Sequence, residues 1–141
     1  MPIRRHRRFY YPIDWRELSQ QIRFVRAKGR CEGCLRPHGQ TVVHLGDGRW
    51  WDAEALAWRN GKGRVLQALA PLTCETVVQR TKVALATAHL DHDPGNNHPA
   101  NLKAFCQRCH MLHDKPEHLR QRDLTYKKRR ALGDLFSGRY D

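Results

Sequence analysis

The chain has 141 residues, with 26 Lys and Arg against 14 Asp and Glu, for a formal charge of +12. That length supports one modest core with appendages, and no apolar stretch approaches the roughly 18 residues a membrane helix needs. With 40% hydrophobic residues and a pI near 10.1, a disordered chain is a poor fit and a polyanionic partner a good one.

Residues 1–13 read as a basic and aromatic arm, in which Arg4, Arg5, Arg7 and Arg8 precede Phe9, Tyr10 and Tyr11. The charges have no apolar stretch behind them, so a secretory signal is not expected. A helix follows. Asp14 and Glu17 have the spacing of an N-cap and capping box, Trp15, Leu18, Ile22 and Val25 fall on one face, and Gly29 ends it. Residues 41–51 read as a hairpin turning at Gly46-Asp47-Gly48, residues 52–59 as a short helix, and 60–63 as its break. No element is assigned over 64–75. Val, Thr and Ala dominate from Thr76 to Leu90, a strand composition. The turn-forming loop Asp91–Pro99 follows, then a helix from near Cys106 through His113, with Pro116 opening another. Trp50 and Trp51 are expected in the core, and Cys74 as a small buried side chain.

Four of the five cysteines form two Cys-x-x-Cys pairs, Cys31/Cys34 and Cys106/Cys109. A two-residue gap lets both thiolates turn to one point, and two pairs complete a tetrahedral structural zinc. The long spacer means that such a zinc would staple an N-terminal knuckle to a distant C-terminal helix.

Six of the nine histidines crowd into one window: His89, His92, His98, His110, His113 and His118. Asp91, Asp93 and Asn101 share it. Imidazoles with carboxylates suit a divalent metal and proton transfer near neutral pH. On a strand, His89 and Asp91 share a face, and on a helix His110 and His113 lie on one side. Packing that helix across the end of the strand would gather His89, Asp91 and His110. His98 and His118 read as loop and solvated side chains.

The runs Ala88-His89-Leu90-Asp91-His92, Asn101-Leu102 and Phe105-Cys106-Gln107-Arg108-Cys109-His110 resemble the HNH (ββα-metal) endonuclease family, in its zinc-stabilised four-cysteine branch. The resemblance implies an α+β fold: a small ββα-metal core over 88–114, with a structural zinc, an N-terminal helix and a helical C-terminal tail. Residues 14–141 would then form one domain with an inserted region at 40–75. By position, His89 becomes the general base, His110 a ligand of the catalytic metal, and Asn101 the asparagine that fixes the base-bearing loop. Many members carry Asp or His immediately before the base as a second ligand. Here that position is Ala88, so Asp91 is the first substitute, then His92 or His113. A second register takes Asp91-His92 as the ligand and base.

The implied activity is hydrolysis of DNA phosphodiester bonds, by nicking or double-strand cleavage, with magnesium or manganese as the catalytic ion and zinc or nickel as alternatives. DNA is the expected partner, held by the arm and by Lys127, Lys128, Arg129 and Arg130. An intracellular, cytoplasmic protein of bacterial or phage origin is expected. Two other classes compete: a zinc-stapled nucleic-acid-binding module without catalysis, and a ribosomal-type zinc protein that binds RNA.

Overall fold

The computed structural model describes residues 5–68 and 77–136, which divide into two compact units, Met1–His110 and Met111–Asp141. The architecture is α+β with antiparallel sheets.

The first unit opens with a 3-10 helix, Arg5–Tyr10, on which the described arginines Arg5, Arg7 and Arg8 are exposed. The next helix, α1, spans Trp15–Gln20 and passes into a π-helical turn, Gln21–Arg26. Asp14 makes no side-chain cap bond, contrary to the capping-box spacing. The widened turn also rotates Val25 off the apolar face, so Ile22 is 5% exposed but Val25 66%. Gly29 closes the turn by donating to Arg23 O.

Strands β1 (Thr41–His44), β2 (Trp50–Asp52), β3 (Ala57–Arg59) and β4 (Gln79–Lys82) form one sheet in the order β3-β2-β1-β4. The expected hairpin is there, but the expected helix over 52–59 is not. Asp52 Oδ1 accepts from the N–H groups of Glu54 and Ala55, making a tight turn that returns the chain as β3. The alternation along β2 separates the two tryptophans. Trp50 is fully buried, whereas Trp51 points to the other face and meets Trp58 edge-on at 5.8 Å.

The strand-like run ending at Leu90 also divides. β4 belongs to the large sheet, while β5 (Ala86–His89) pairs with β6 (Leu102–Phe105), with Ala86 opposite Phe105 and His89 opposite Leu102. Between them Val83 and Leu85 enter the core. The 3-10 turn Pro99–Asn101 leads into β6.

Two apolar clusters hold this unit. One gathers Val42, Trp50, Val83, Leu85, Ala88 and Phe105 with the buried cysteines. The other packs Ile22 against Leu102 and Ala104, flanked by Trp15 and Leu18. The N-terminal helix is tied to the small sheet by a 2.9 Å bond between the Ser19 and Thr87 hydroxyls, and by Arg26 donating to Pro99 O and Leu102 O.

Helix α2 runs Gln107–Phe136 without a break, so Pro116 lies inside it rather than starting a second helix. Over 118–131 every side chain is exposed. No described helix is long and apolar enough to cross a membrane. Arg4 and Cys74 lie outside the described residues.

Candidate metal centre and histidine loop

The two cysteine pairs arrive from distant parts of the chain. The first closes as a knuckle in which Leu35 N donates to Cys31 O at 2.8 Å and Cys31 N to Arg36 O at 3.0 Å. The second follows β6 directly and opens α2. Glu32 joins the two parts: its N–H donates to Ala104 O at 2.8 Å, and its Oε2 accepts from Ala104 N at 2.7 Å and from Arg26 at 2.8 Å. Gly33 lets the first cysteine turn approach the start of α2, since a Cβ there would stand 3.0 Å from Cys109 Sγ.

Cys31, Cys34 and Cys106 are buried and Cys109 is half-buried, with no disulfide among them. All four Sγ atoms lie within 4.8 Å of one another, and Cys34 and Cys106 are 3.5 Å apart. Four sulfurs held tetrahedrally at about 2.3 Å from zinc stand about 3.8 Å from each other, so the cluster fits a structural metal such as zinc. The N–H groups of Gly33 and Cys106 point at Cys31 Sγ, at 3.4 and 3.3 Å. Donation from the Cys106 thiol, then from Cys109 and Cys34, holds the Cys31 thiol below its ordinary range. Trp50 Nε1 donates to Cys34 O at 3.1 Å, fixing the knuckle from the sheet side.

His89 closes β5 and is 9% exposed. The Trp15 ring stacks on it, Tyr11 meets it edge-on with centroids 5.7 Å apart, and its Nε2 lies 2.9 Å from Asn97 Oδ1. The loop beyond is tied by Asn101. Its Nδ2 donates to Asp91 Oδ1 and Asn96 O, both at 2.8 Å, its Oδ1 accepts from Asp91 N at 3.2 Å, and its carbonyl accepts from Leu90 N. Asn101 therefore sews the two ends of the loop together.

Asp91 is the hub of that stitching. Oδ1 accepts from Asp93 N and Asn101 Nδ2, and Oδ2 from Asn96 Nδ2. The Asp93 N–H first, then Asn101 and Asn96, lower its carboxyl to about 2. Oδ1 has both lone pairs occupied, so the carboxylate can offer a cation one direction on Oδ2. Ala88 is 2% exposed and packed in the core. His110 is half-buried in the first turns of α2, with its N–H on Cys106 O, and His113 is half-buried in the second unit. His98 caps the 3-10 turn, its Nδ1 accepting from Ala100 N at 3.2 Å. Lys127, Lys128, Arg129 and Arg130 are exposed.

Three contributors carried no sequence motif. Asn97 and the Trp15–Tyr11 pair surround His89, and Arg36 is 4% exposed, with Nε and Nη2 meeting no acceptor among the described residues. Trp15 and Tyr11 read only as a helix face and an aromatic arm, and nothing local marks Asn97 or Arg36 as part of a site.

No family model matches the chain, and neither a curated protein nor a solved structure matches it significantly.

Proposed function

We propose that this chain is a metal-dependent DNA endonuclease of the HNH type, with zinc on Cys31, Cys34, Cys106 and Cys109. The observation that carries the reading is the Asn101 clamp across the loop that begins at His89, within a strand–loop–strand–helix sequence. That is the placement the family resemblance requires of its asparagine. In the reaction, water loses a proton to His89, its oxygen bonds to phosphorus, and the P–O3′ bond breaks, the leaving oxygen taking a proton from solvent. A divalent cation, when bound, would neutralise charge on the phosphoryl and leaving oxygens. His110 and the remaining Oδ2 direction of Asp91 are the ligands this chain would offer it. Arg5, Arg7 and Arg8 on the arm, with Lys127 to Arg130 on α2, would hold the DNA backbone, so affinity would fall steeply with salt.

A second reading, a zinc-stapled binding module without catalysis, is favoured by two facts: Ala88 is buried without a ligand atom, and Asp91 is occupied by its own loop. Plasmid cleavage with magnesium or manganese separates the two. Cleavage by the parent that disappears in His89→Ala supports the nuclease. Retarded DNA that is never cut supports the module, and cleavage unchanged in His89→Ala rejects the assignment of the base.

A further inference from the structure

The two faces of the β3-β2-β1-β4 sheet carry different chemistry, and the cysteine centre uses one of them. Side chains alternate along a strand, and directly paired residues share a face. His44 pairs with Trp50, Trp51 with Trp58, Val43 with Arg80, and Thr41 with Lys82. The face of Trp50 therefore also holds Val42, His44 and Asp52, and on it Val42 and Trp50 pack against the buried cysteines. The opposite face carries Trp58, Trp51, Val43 and Arg80 in one row across the four strands, with Thr41 and Lys82 in the next. Thr41, Arg80 and Lys82 are exposed, and the two tryptophans and Val43 are half-buried. The one carboxylate in these four strands, Asp52, lies on the core face, 2% exposed and bound to Arg59. The outer face thus combines aromatic surface with cations and has no strand carboxylate to neutralise them.

That combination fits unpaired bases. An aromatic ring takes the π-face of any base, while a neighbouring guanidinium or ammonium meets the phosphate. Bases in a duplex are stacked on one another and closed to a sheet, so such a face takes a single strand. Three inter-strand steps of about 4.8 Å separate the backbones of Trp58 and Arg80, a width on which a four-stranded sheet lays two or three bases. A net charge of +12 disfavours a second copy of this chain as the occupant and favours a polyanion. We propose that the outer face of this sheet binds single-stranded DNA, with bases stacked on Trp58 and Trp51 and phosphates on Arg80 and Lys82. The choice of DNA over RNA rests on the nuclease reading above, but the face and its test require no cleavage.

The test uses the zinc-loaded full chain without magnesium or manganese, and a fluorescein-labelled oligothymidylate as the probe. By anisotropy, Trp58→Ala should bind roughly 5- to 100-fold more weakly than the parent, and Trp58→Phe should recover most of the loss because a stacking ring remains. Arg80→Gln, at an exposed position, should reduce the slope of log affinity against log salt by about 0.7, the share of one phosphate on a single strand. The second readout is the fluorine spectrum of the parent labelled with 5-fluorotryptophan, its four indole signals assigned by single replacements with Phe. Saturating oligothymidylate should move the Trp51 and Trp58 signals and leave that of buried Trp50 in place. Unmoved Trp51 and Trp58 signals overturn the proposal, even if Trp58→Ala fails to fold. So does a parent that does not bind the probe, or a folded Trp58→Ala that binds as tightly as the parent. Oligouridylate bound more tightly than oligothymidylate overturns the assignment to DNA. A parent that passes both readouts yet never cuts a plasmid removes the nuclease reading and keeps the single-strand face.

Discussion

The indole of Trp15 lies nearly parallel to the imidazole of His89, with centroids 5.0 Å apart and planes 14° from each other. The contact joins the N-terminal helix to the last residue of β5, so a residue read as one of an apolar stripe also forms a wall of the candidate site. Truncating it removes both the stack and the packing of Trp15 on the cluster of Ile22, Leu102 and Ala104. Trp15→Ala should cost about 3 kcal/mol in urea unfolding, and Trp15→Phe about 1 kcal/mol, because an aromatic face remains. The same replacement by alanine should shift the His89 ring protons downfield as the indole ring current is lost. Unmoved His89 resonances in Trp15→Ala would contradict the stack.

Asp91 ties the loop to acid. Its carboxyl is lowered to about 2 by the Asp93 N–H and then by Asn101 and Asn96, against about 3.9 for a free aspartate. A depressed carboxyl contributes stability above its unfolded value, and that contribution is lost as the pH falls through the folded value. The loop bonds should therefore persist at pH 5 and weaken between about pH 4 and 2. The amide resonances of Asp93 and Asn101 should titrate together across that window. In Asp91→Asn, which keeps one acceptor oxygen without charge, the transition should vanish. A midpoint near 4 would show that the three donors do not act on Asp91.

The cysteine cluster makes a stoichiometric prediction. Metal analysis of the purified chain should find one zinc per molecule, and cobalt substitution should give the spectrum of a tetrahedral four-sulfur site. Structural zinc contributes on the order of 10 kcal/mol to small domains, far more than their net stability. Strong chelators, or Cys106→Ser, should therefore collapse the cooperative melting transition. A chain that binds no zinc yet melts cooperatively would show that the cluster is only a packed thiol core.

What could be read in the sequence was what depends on short spacings. The two Cys-x-x-Cys turns, the helix starting beside Cys106 and the Gly46–Gly48 turn are local geometries, and they are where the residues indicated. β3 and β6 are three and four residues long, and their formation depends on partners rather than on their own composition. The helical reading of 52–59 failed because Asp52 spends its carboxylate on a turn and on Arg59, which no pattern of hydrophobicity records. Pro116 failed as a boundary in a 30-residue helix, where the turns on either side continue past it. The partner of His89 was invisible for a different reason: the sense of the Asn97 amide is set by two backbone carbonyls, and those positions exist only once the loop is closed.

Asp52 anchors the large sheet through charge. It is 2% exposed, accepts from Arg59 Nε at 2.7 Å, and stands 3.5 Å from Arg30 Nη1. Removing Asp52 takes the acceptor from two partly exposed guanidiniums and from the turn N–H groups, at a cost of about 2–3 kcal/mol. Asp52→Ala should destabilise by that amount in urea. Asp52→Asn keeps an acceptor for the N–H groups of Glu54 and Ala55 and should cost about half as much. Equal losses in the two variants would place the contribution in the turn bonds rather than the charge.

Gly48 and Arg108 offer a test of how the inserted sheet is seated on the second cysteine pair. Gly48 has φ +108°, and a Cβ built there would stand 2.6 Å from Arg108 Nη2 and 3.3 Å from Gly61 Cα. Arg108, between Cys106 and Cys109, also donates to Gly61 O at 3.4 Å. Gly39 has φ +76° but nothing within 4 Å of its missing Cβ. Gly39→Ala should therefore cost only the conformational strain, about 1 kcal/mol. Gly48 lies further from the left-handed well, at φ +108°, and Gly48→Ala must also displace the guanidinium, so it should cost about 2–3 kcal/mol. The difference is separable by a double-mutant cycle, since an Arg108→Ala background removes the guanidinium clash and leaves the strain and the tight contact with Gly61 Cα. Gly48→Ala should then cost less than in the parent, though still somewhat more than Gly39→Ala, which has no neighbour to meet. If its cost is unchanged by removing Arg108, the guanidinium is not wedged between the two turns, and the sheet is held on the cysteine centre by Trp50 instead.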